Sequence, residues 1–208
     1  MELNNTRSQI LNVAQDLIQK NGVNAMSYAD ISKAIGIREA SIHYYFPTKK
    51  DLVVDLLDRY NQQFFDLVEE ILASAESSKI KLNRYCGLFE QTLSSGEQDK
   101  ACLCGILSAE LKTLKDPIVA RVTQFYQSNE KYLEQILRSG LETGEFDFAG
   151  TPQTMARLIF SLMEGDLLVA RADGGVVRIK ETTQQMLALI TNRSSLLKQN
   201  AFHSHYLD

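Results

Sequence analysis

Residues 26–52, MSYADISKAIGIREASIHYYFPTKKDL, constrain the fold more tightly than any other stretch: two short helical patterns are separated by a glycine and closed by a proline. The first pattern covers about 28–35, with Ser27 as its N-cap and Asp30 three residues on as the acidic half of a capping-box-like pair. Ala29, Ile31 and Ala34 are small or apolar, and Ile31 and Ile35 stand one turn apart, which gives one buried face. Gly36 ends this helix, because glycine takes the left-handed conformation that other residues resist. Ile37 plugs the turn. A second helix is expected over about 39–45, with Ile42 and Phe46 toward the core and Pro47 as its stop. Helix, glycine turn, helix is the helix-turn-helix arrangement, whose second helix fits a DNA major groove.

On that geometry the outward side chains of the second helix are the base-reading candidates: Arg38, Glu39, Ser41 and His43, with Ala40 for a thymine methyl. Tyr44 and Tyr45 carry hydroxyls suited to phosphates, although a packed aromatic corner is the competing reading of His43, Tyr44 and Tyr45. Two helix starts, one at Ser27 and Tyr28 and one at Thr48, Lys49 and Lys50, supply amides and positive charge for the backbone.

Net charge is −4, which by itself argues against a polyanionic partner, but the charge is uneven. Residues 1–60 hold seven Lys/Arg and seven Asp/Glu, so the remainder carries the whole −4. A small basic face is enough for phosphate contacts. No charged-then-apolar leader opens the chain and no apolar run approaches the roughly 18 residues of a membrane span, so a cytoplasmic protein without membrane contact is expected. Three cysteines in 208 residues do not make a secreted disulfide framework.

The rest of the chain reads as helix throughout, and the fold class is all-α. A first helix over about 6–21 carries Ile10, Val13, Ala14, Leu17 and Ile18 on one face and stops at Gly22, with residues 1–5 outside it. After Thr48, with Asp51 as its acidic partner, a helix continues to about residue 74. Further helices are expected over about 80–93, 101–114, 118–143, 152–172 and 179–191, with a loop at 94–100, a turn at 145–150, a break at 173–175 and a C-terminal tail. Thr151 and Pro152 are well placed to start one of them.

The run from Gly36 to Leu52 resembles the end of the DNA-binding domain of TetR/AcrR-type transcriptional regulators. Gly36, Ile37, Tyr45, Phe46, Lys49, Asp51 and Leu52 fit that family's pattern, as do Ile10, Ala14, Leu17, Gly22, Val23, Ser27, Ala29, Ile31 and Ala34 upstream. His43-Tyr44 reverses the order common in the family, Ala40 stands where glycine is frequent, and Glu39 where a lysine or polar residue is frequent. The resemblance implies a DNA-binding domain over 1–50 and a ligand-binding and dimerisation domain over 51–208, joined by the helix at 49–74. It also implies a homodimer on a palindromic operator in double-stranded DNA, in most such proteins as a repressor, released by a small-molecule effector. The last two long helices would form the dimer interface, with Leu158, Leu162, Gly165, Met186, Leu189 and Ile190 supplying it; a monomer core is the alternative. Pocket candidates are Tyr85, Phe89, Cys104, Leu107, Phe125, Tyr126, Phe160 and Glu164, against the ordinary reading of aromatic residues at helical spacing as core. Glu164 and Asp166 are acids inside an apolar helix, facing either a polar ligand group or solvent.

Cys102 and Cys104 would lie roughly 200° apart on a helix, so they do not bond each other. Buried packing is their ordinary role. The resemblance adds a thiol-sensing alternative, in which Cys102 or Cys104 responds to electrophiles or oxidants, Cys102 being activated by a helix N-terminus. No metal spacing, phosphate loop or nucleophile elbow is present, and His203 and His205 in the tail make no site, so no cofactor, metal or enzymatic activity is expected. The rivals are an all-α enzyme or carrier with an incidental helix-turn-helix, and an adaptor without effector.

Overall fold

The computed structural model describes residues 2–94 and 99–191. Part of the expected loop at 94–100 and the tail with His203 and His205 lie outside the described residues. Among those described, all long elements are helices: α1 (Glu2–Asn21), α2 (Tyr28–Ile35), α3 (Glu39–Tyr45), α4 (Lys49–Ala73), α5 (Ser78–Ser94), α6 (Leu103–Ala109), α7 (Asp116–Glu142), α8 (Pro152–Ala170) and α9 (Gly175–Ile190), with a short 3-10 turn at Leu111–Thr113. None is long and apolar enough to cross a membrane. The chain divides into two compact units, Met1–Leu67 with Thr92–Gln127, and Val68–Gln91 with Ser128–Asp208.

In the first unit, four helices close around one apolar centre. Ile10, Ala14 and Ile18 of α1, Ile31 of α2, Ile42 of α3, Phe46, and Leu52, Leu56 and Leu57 of α4 are all fully buried. The guanidinium of Arg7 lies 5.5 Å from the Phe46 ring centroid and pairs with Asp55 at 2.6 Å, which seals the rim. The segment 100–127 adds Leu103, Cys104 and Leu107 of α6 and Ile118, Val122 and Phe125 of α7. Phe125 meets the rings of Tyr60, Phe64 and Phe65 at 5.8, 5.1 and 5.8 Å.

The second unit is built by α8 and α9 lying side by side, with parts of α5 and α7. Its interior holds Leu82, Tyr85 and Phe89, Leu133 and Leu137, Ile159, Phe160 and Met163, and Ile179 and Met186. Glu145 accepts from the Ser78 and Lys79 amides (3.2 and 3.0 Å) and so caps α5. Thr151 caps α8 reciprocally with Thr154, and Pro152 opens it.

Three helices depart from the sequence reading by more than two residues at one end. α1 starts at Glu2 because nothing in residues 2–5 breaks a helix. The helix expected over 101–114 shrinks to Leu103–Ala109, since Ala101 spends both its backbone groups on Gln19, whose amide nitrogen lies 2.8 Å from the Ala101 carbonyl. α9 begins at Gly175 rather than Ile179, with Gly174 in the left-handed region (φ 85°) as its N-cap.

Candidate nucleic-acid interface

Three local devices set α2 and α3 in place. Ser27 and Asp30 form the reciprocal cap, the Ser27 amide donating to the Asp30 carboxylate at 2.9 Å and the Ser27 hydroxyl accepting from the Asp30 amide. The Ser27 hydroxyl and amide hold the Asp30 carboxyl below its ordinary range. Gly36, at φ 71°, turns the chain, and the Ser32 hydroxyl ties off the Ile37 carbonyl at 2.6 Å. At the far end, Thr48 and Asp51 repeat the reciprocal cap for α4.

Arg38 is the N-cap of α3 by backbone position but makes no side-chain capping bond, so its guanidinium is not consumed in holding the helix. Arg38, Glu39, Ala40, His43 and Tyr44 are exposed, Tyr44 at 77%, while Ile42 and Phe46 are fully buried. Ser41 and Tyr45 are half-buried. Tyr44 and Tyr45 stand edge-on at 5.3 Å. His43 stacks edgewise on Tyr28 at 4.7 Å, and its Nδ1 lies 3.3 Å from the Pro47 carbonyl, so part of the aromatic corner does pack internally.

Two of the phosphate candidates are occupied elsewhere. The Tyr28 side chain is buried, its hydroxyl donates to the Phe46 carbonyl at 2.9 Å, and burial pushes its pKa up to about 12. What Tyr28 offers a phosphate is its place in the first turn of α2. The Lys49 ammonium donates to the Met26 carbonyl, and burial pulls its pKa down. Lys50 and Thr48 remain exposed.

The candidates in the C-terminal half separate into two packed groups, one in each unit. In the second unit the Tyr85 and Phe89 rings lie 5.8 Å apart and Phe89 meets Phe160 at 6.4 Å; the buried Tyr85 hydroxyl donates to the Asn129 side chain at 2.7 Å. Glu164 is half-buried on α8. In the first unit Cys104, Leu107 and Phe125 are buried, and the Tyr126 hydroxyl reaches the Cys104 carbonyl (3.1 Å) and the Ser108 hydroxyl (2.6 Å). Asp166 is buried rather than solvated, and its Oδ1 pairs with Arg178 at 2.8 Å, which ties α8 to the first turn of α9.

On the surface of the second unit, α8 and α9 frame an apolar groove of about 700 Å³. Leu158, Leu162 and Leu189 stand exposed on it at 60, 38 and 72%, while Met186 and Ile190 form its buried floor. Gly165 is exposed, with open space where a side chain would be. Phe148 and Ala149 of the α7–α8 turn also line it, and helical periodicity missed these two because turn residues carry no helical period.

All three cysteines are buried and outside any disulfide. Cys102 is the N-cap residue of α6 and its sulfur lies 3.7 Å from the Tyr60 hydroxyl; burial pushes the Cys86 thiol up to about 12. Burial opposes the reactivity that a helix N-terminus promotes. Native protein is therefore expected to react with a thiol reagent at least tenfold more slowly than unfolded protein at all three positions, tracking local opening. Rapid labelling of Cys102 in the folded state would restore the thiol-sensing reading.

Comparisons with known proteins agree with this geometry. Residues 10–56 match the family described as bacterial regulatory proteins, tetR family, and residues 79–186 match the tetracyclin repressor-like C-terminal domain. The TetR-family transcriptional regulator of Agrobacterium tumefaciens superposes with a TM-score of 0.86 and 32% identity, over 91% of this chain and 99% of that one. A TetR transcriptional regulator of Legionella pneumophila gives 0.78 and 31%, over 89% and 97%. The HTH-type transcriptional repressor NemR of Escherichia coli K12 is 25% identical over 190 residues, 90% of this chain and 92% of that protein. The chain thus belongs to the tetR family of bacterial regulatory proteins.

Proposed function

We propose that this regulator is a homodimeric repressor that reads a palindromic operator with α3 and releases it when a small molecule occupies the C-terminal half. The observation that carries the reading is the exposed run Arg38–Ala40, His43 and Tyr44 on a helix whose opposite side, Ile42 and Phe46, is fully buried. Arg38 forks onto a guanine edge, Ala40 meets a thymine methyl, and Tyr44, Thr48 and Lys50 hold the backbone. The repressor NemR, similar over most of its length, supports the sign of regulation. Two copies meet through α8 and α9, where an exposed leucine row flanks an apolar groove. The effector is met by apolar and aromatic side chains with few polar groups, the Tyr85, Phe89 and Phe160 cluster with its Asn129 amide being the best match to such chemistry.

The test is selection from a randomised duplex pool at fixed salt, with sequencing of the bound fraction. An enriched palindrome is expected. Arg38→Ala should cost about 1–3 kcal/mol and relax one position of each half-site. Lys50→Ala should weaken all sequences alike and reduce the salt slope by about 1. A pool that returns no enriched sequence, from protein shown by mass spectrometry to carry no small molecule, would overturn the reading.

A further inference from the structure

We propose that Glu110, from outside the helix-turn-helix, is a positioning residue for DNA reading; this rests on the DNA-binding reading of α2 and α3. Its carboxylate sits on the turn that joins α1 to α2. One oxygen, Oε2, accepts from the Val23 amide at 2.7 Å and from the Asn24 amide at 3.3 Å. The other, Oε1, lies where a side chain at position 22 would be: a Cβ built on Gly22 would come within 2.7 Å of it. Gly22 itself is in the left-handed region (φ 89°), so only glycine both makes this turn and admits the carboxylate. Asn24 and Thr113 close the contact from the side, the Asn24 side-chain Nδ2 donating to the Thr113 hydroxyl at 3.0 Å.

The turn leads straight into the reader. Met26 accepts from Lys49, the next residue, Ser27, caps α2, and α2 packs on α3. Four residues after Gly22 therefore set where α2 begins, and Glu110 fixes the first of them. Hydrogen bonds from amides to a carboxylate are charge-assisted and strong. Without Glu110 those amides lose their partner, the turn samples other arrangements, and only a fraction of molecules holds α2 and α3 in the reading geometry. Apparent affinity falls by that fraction.

The sign of the effect separates this role from simple electrostatics. An acid near the DNA-facing side repels phosphates, so removing its charge alone would tighten binding. Positioning demands the reverse. Glu110→Ala is expected to bind the operator selected by the wild-type protein about tenfold more weakly, with an unchanged salt slope because no phosphate contact is lost. Glu110→Gln keeps an acceptor oxygen without the charge, and is expected to bind the operator more tightly than Glu110→Ala. The Val23 and Asn24 amide protons should exchange faster in Glu110→Ala than in Glu110→Gln. If Glu110→Ala fails to fold, Glu110→Asp, one methylene short of the amides, takes its place as the weakened variant. Equal or tighter operator binding by the Ala variant, or by Asp in its stead, overturns the clamp while leaving the DNA reading intact. A wild-type protein that binds no duplex overturns both.

Discussion

Leu189→Asp is expected to give a folded monomer that no longer holds its operator. Leu189 is 72% exposed in the isolated chain, so the substitution removes little packing within one copy, and a surface change of this kind moves intrinsic stability by less than about 0.5 kcal/mol. In the proposed dimer the same position lies in a self-complementary apolar face, where twofold symmetry places two new charges in one interface. Each unpaired buried ion costs several kcal/mol, on the order of the whole gain from such a face. Far-ultraviolet circular dichroism should keep its helical signal while sedimentation equilibrium reports a single-chain mass. Operator affinity should fall on the order of 10²-fold or more, because two linked half-site contacts become two independent ones. Leu158→Lys, at 60% exposure on the facing helix, should behave alike. A variant that stays dimeric with undiminished affinity would remove α8 and α9 from the interface.

The reader was legible in the sequence because its geometry is written in neighbours. Ser27 with Asp30, Gly36, and Thr48 with Asp51 act over three or four residues, and α2 and α3 begin and end where those signals stand. The helical period likewise marked Ile10, Ala14, Ile31 and Ile42 as core. What escaped was decided by distant partners. Lys49 and Tyr28 have the right chemistry for phosphate, yet their polar atoms go to the Met26 and Phe46 carbonyls, acceptors that only the folded chain brings near. The α6 boundary was missed for the same reason: Gln19 claims both backbone groups of Ala101 from 82 residues away. Glu110 carries no local signal at all, since its amide partners lie 86 and 87 residues earlier.

The pocket candidates show the limit of periodicity from the other side. Aromatic spacing correctly put Tyr85, Phe89, Phe125 and Phe160 indoors, but spacing cannot say which interior a side chain joins. Phe125 packs with Tyr60, Phe64 and Phe65, whereas Phe160 packs with Phe89 in the other unit. The break at 173–175 misled in a simpler way. A glycine is tolerated in the first turn of a helix, and Arg178 reaching back to Asp166 then anchors the extra turn of α9.

Gly140 is the position where sequence reasoning gave no warning and where a single methyl group is expected to do the most damage. It lies in the last turns of α7, where alanine is ordinarily the better residue by about 1 kcal/mol. A Cβ there would stand 2.0 Å from Cδ2 of Phe146 and 2.4 Å from Cε2, inside the ring's own radius. The ring cannot simply step aside. Phe146 is 2% exposed, its amide donates to the Gly140 carbonyl at 3.0 Å, and it pairs in an antiparallel bridge with Thr191. Asp147 adds a 2.8 Å bond to the Ile190 carbonyl, so the α7–α8 turn is pinned to the end of α9. Gly140→Ala must expel the ring or spread the helix, and should cost about 3 kcal/mol, between ordinary overpacking and the loss of a buried phenylalanine. Phe146→Ala alone should cost about 3–5 kcal/mol. The discriminating result is the double variant. With the ring gone, Gly140→Ala no longer clashes, and helix propensity turns its effect from strongly destabilising to stabilising by up to about 1 kcal/mol. Urea midpoints at constant slope, measured for all four proteins, give this sign reversal directly. The same variants should also weaken dimerisation, because Phe148 and Ala149 of the pinned turn line the α8–α9 groove. A neutral Gly140→Ala in the wild-type background would mean that the ring does not rest on the helix backbone, and that the turn is free to move without disturbing the face it borders.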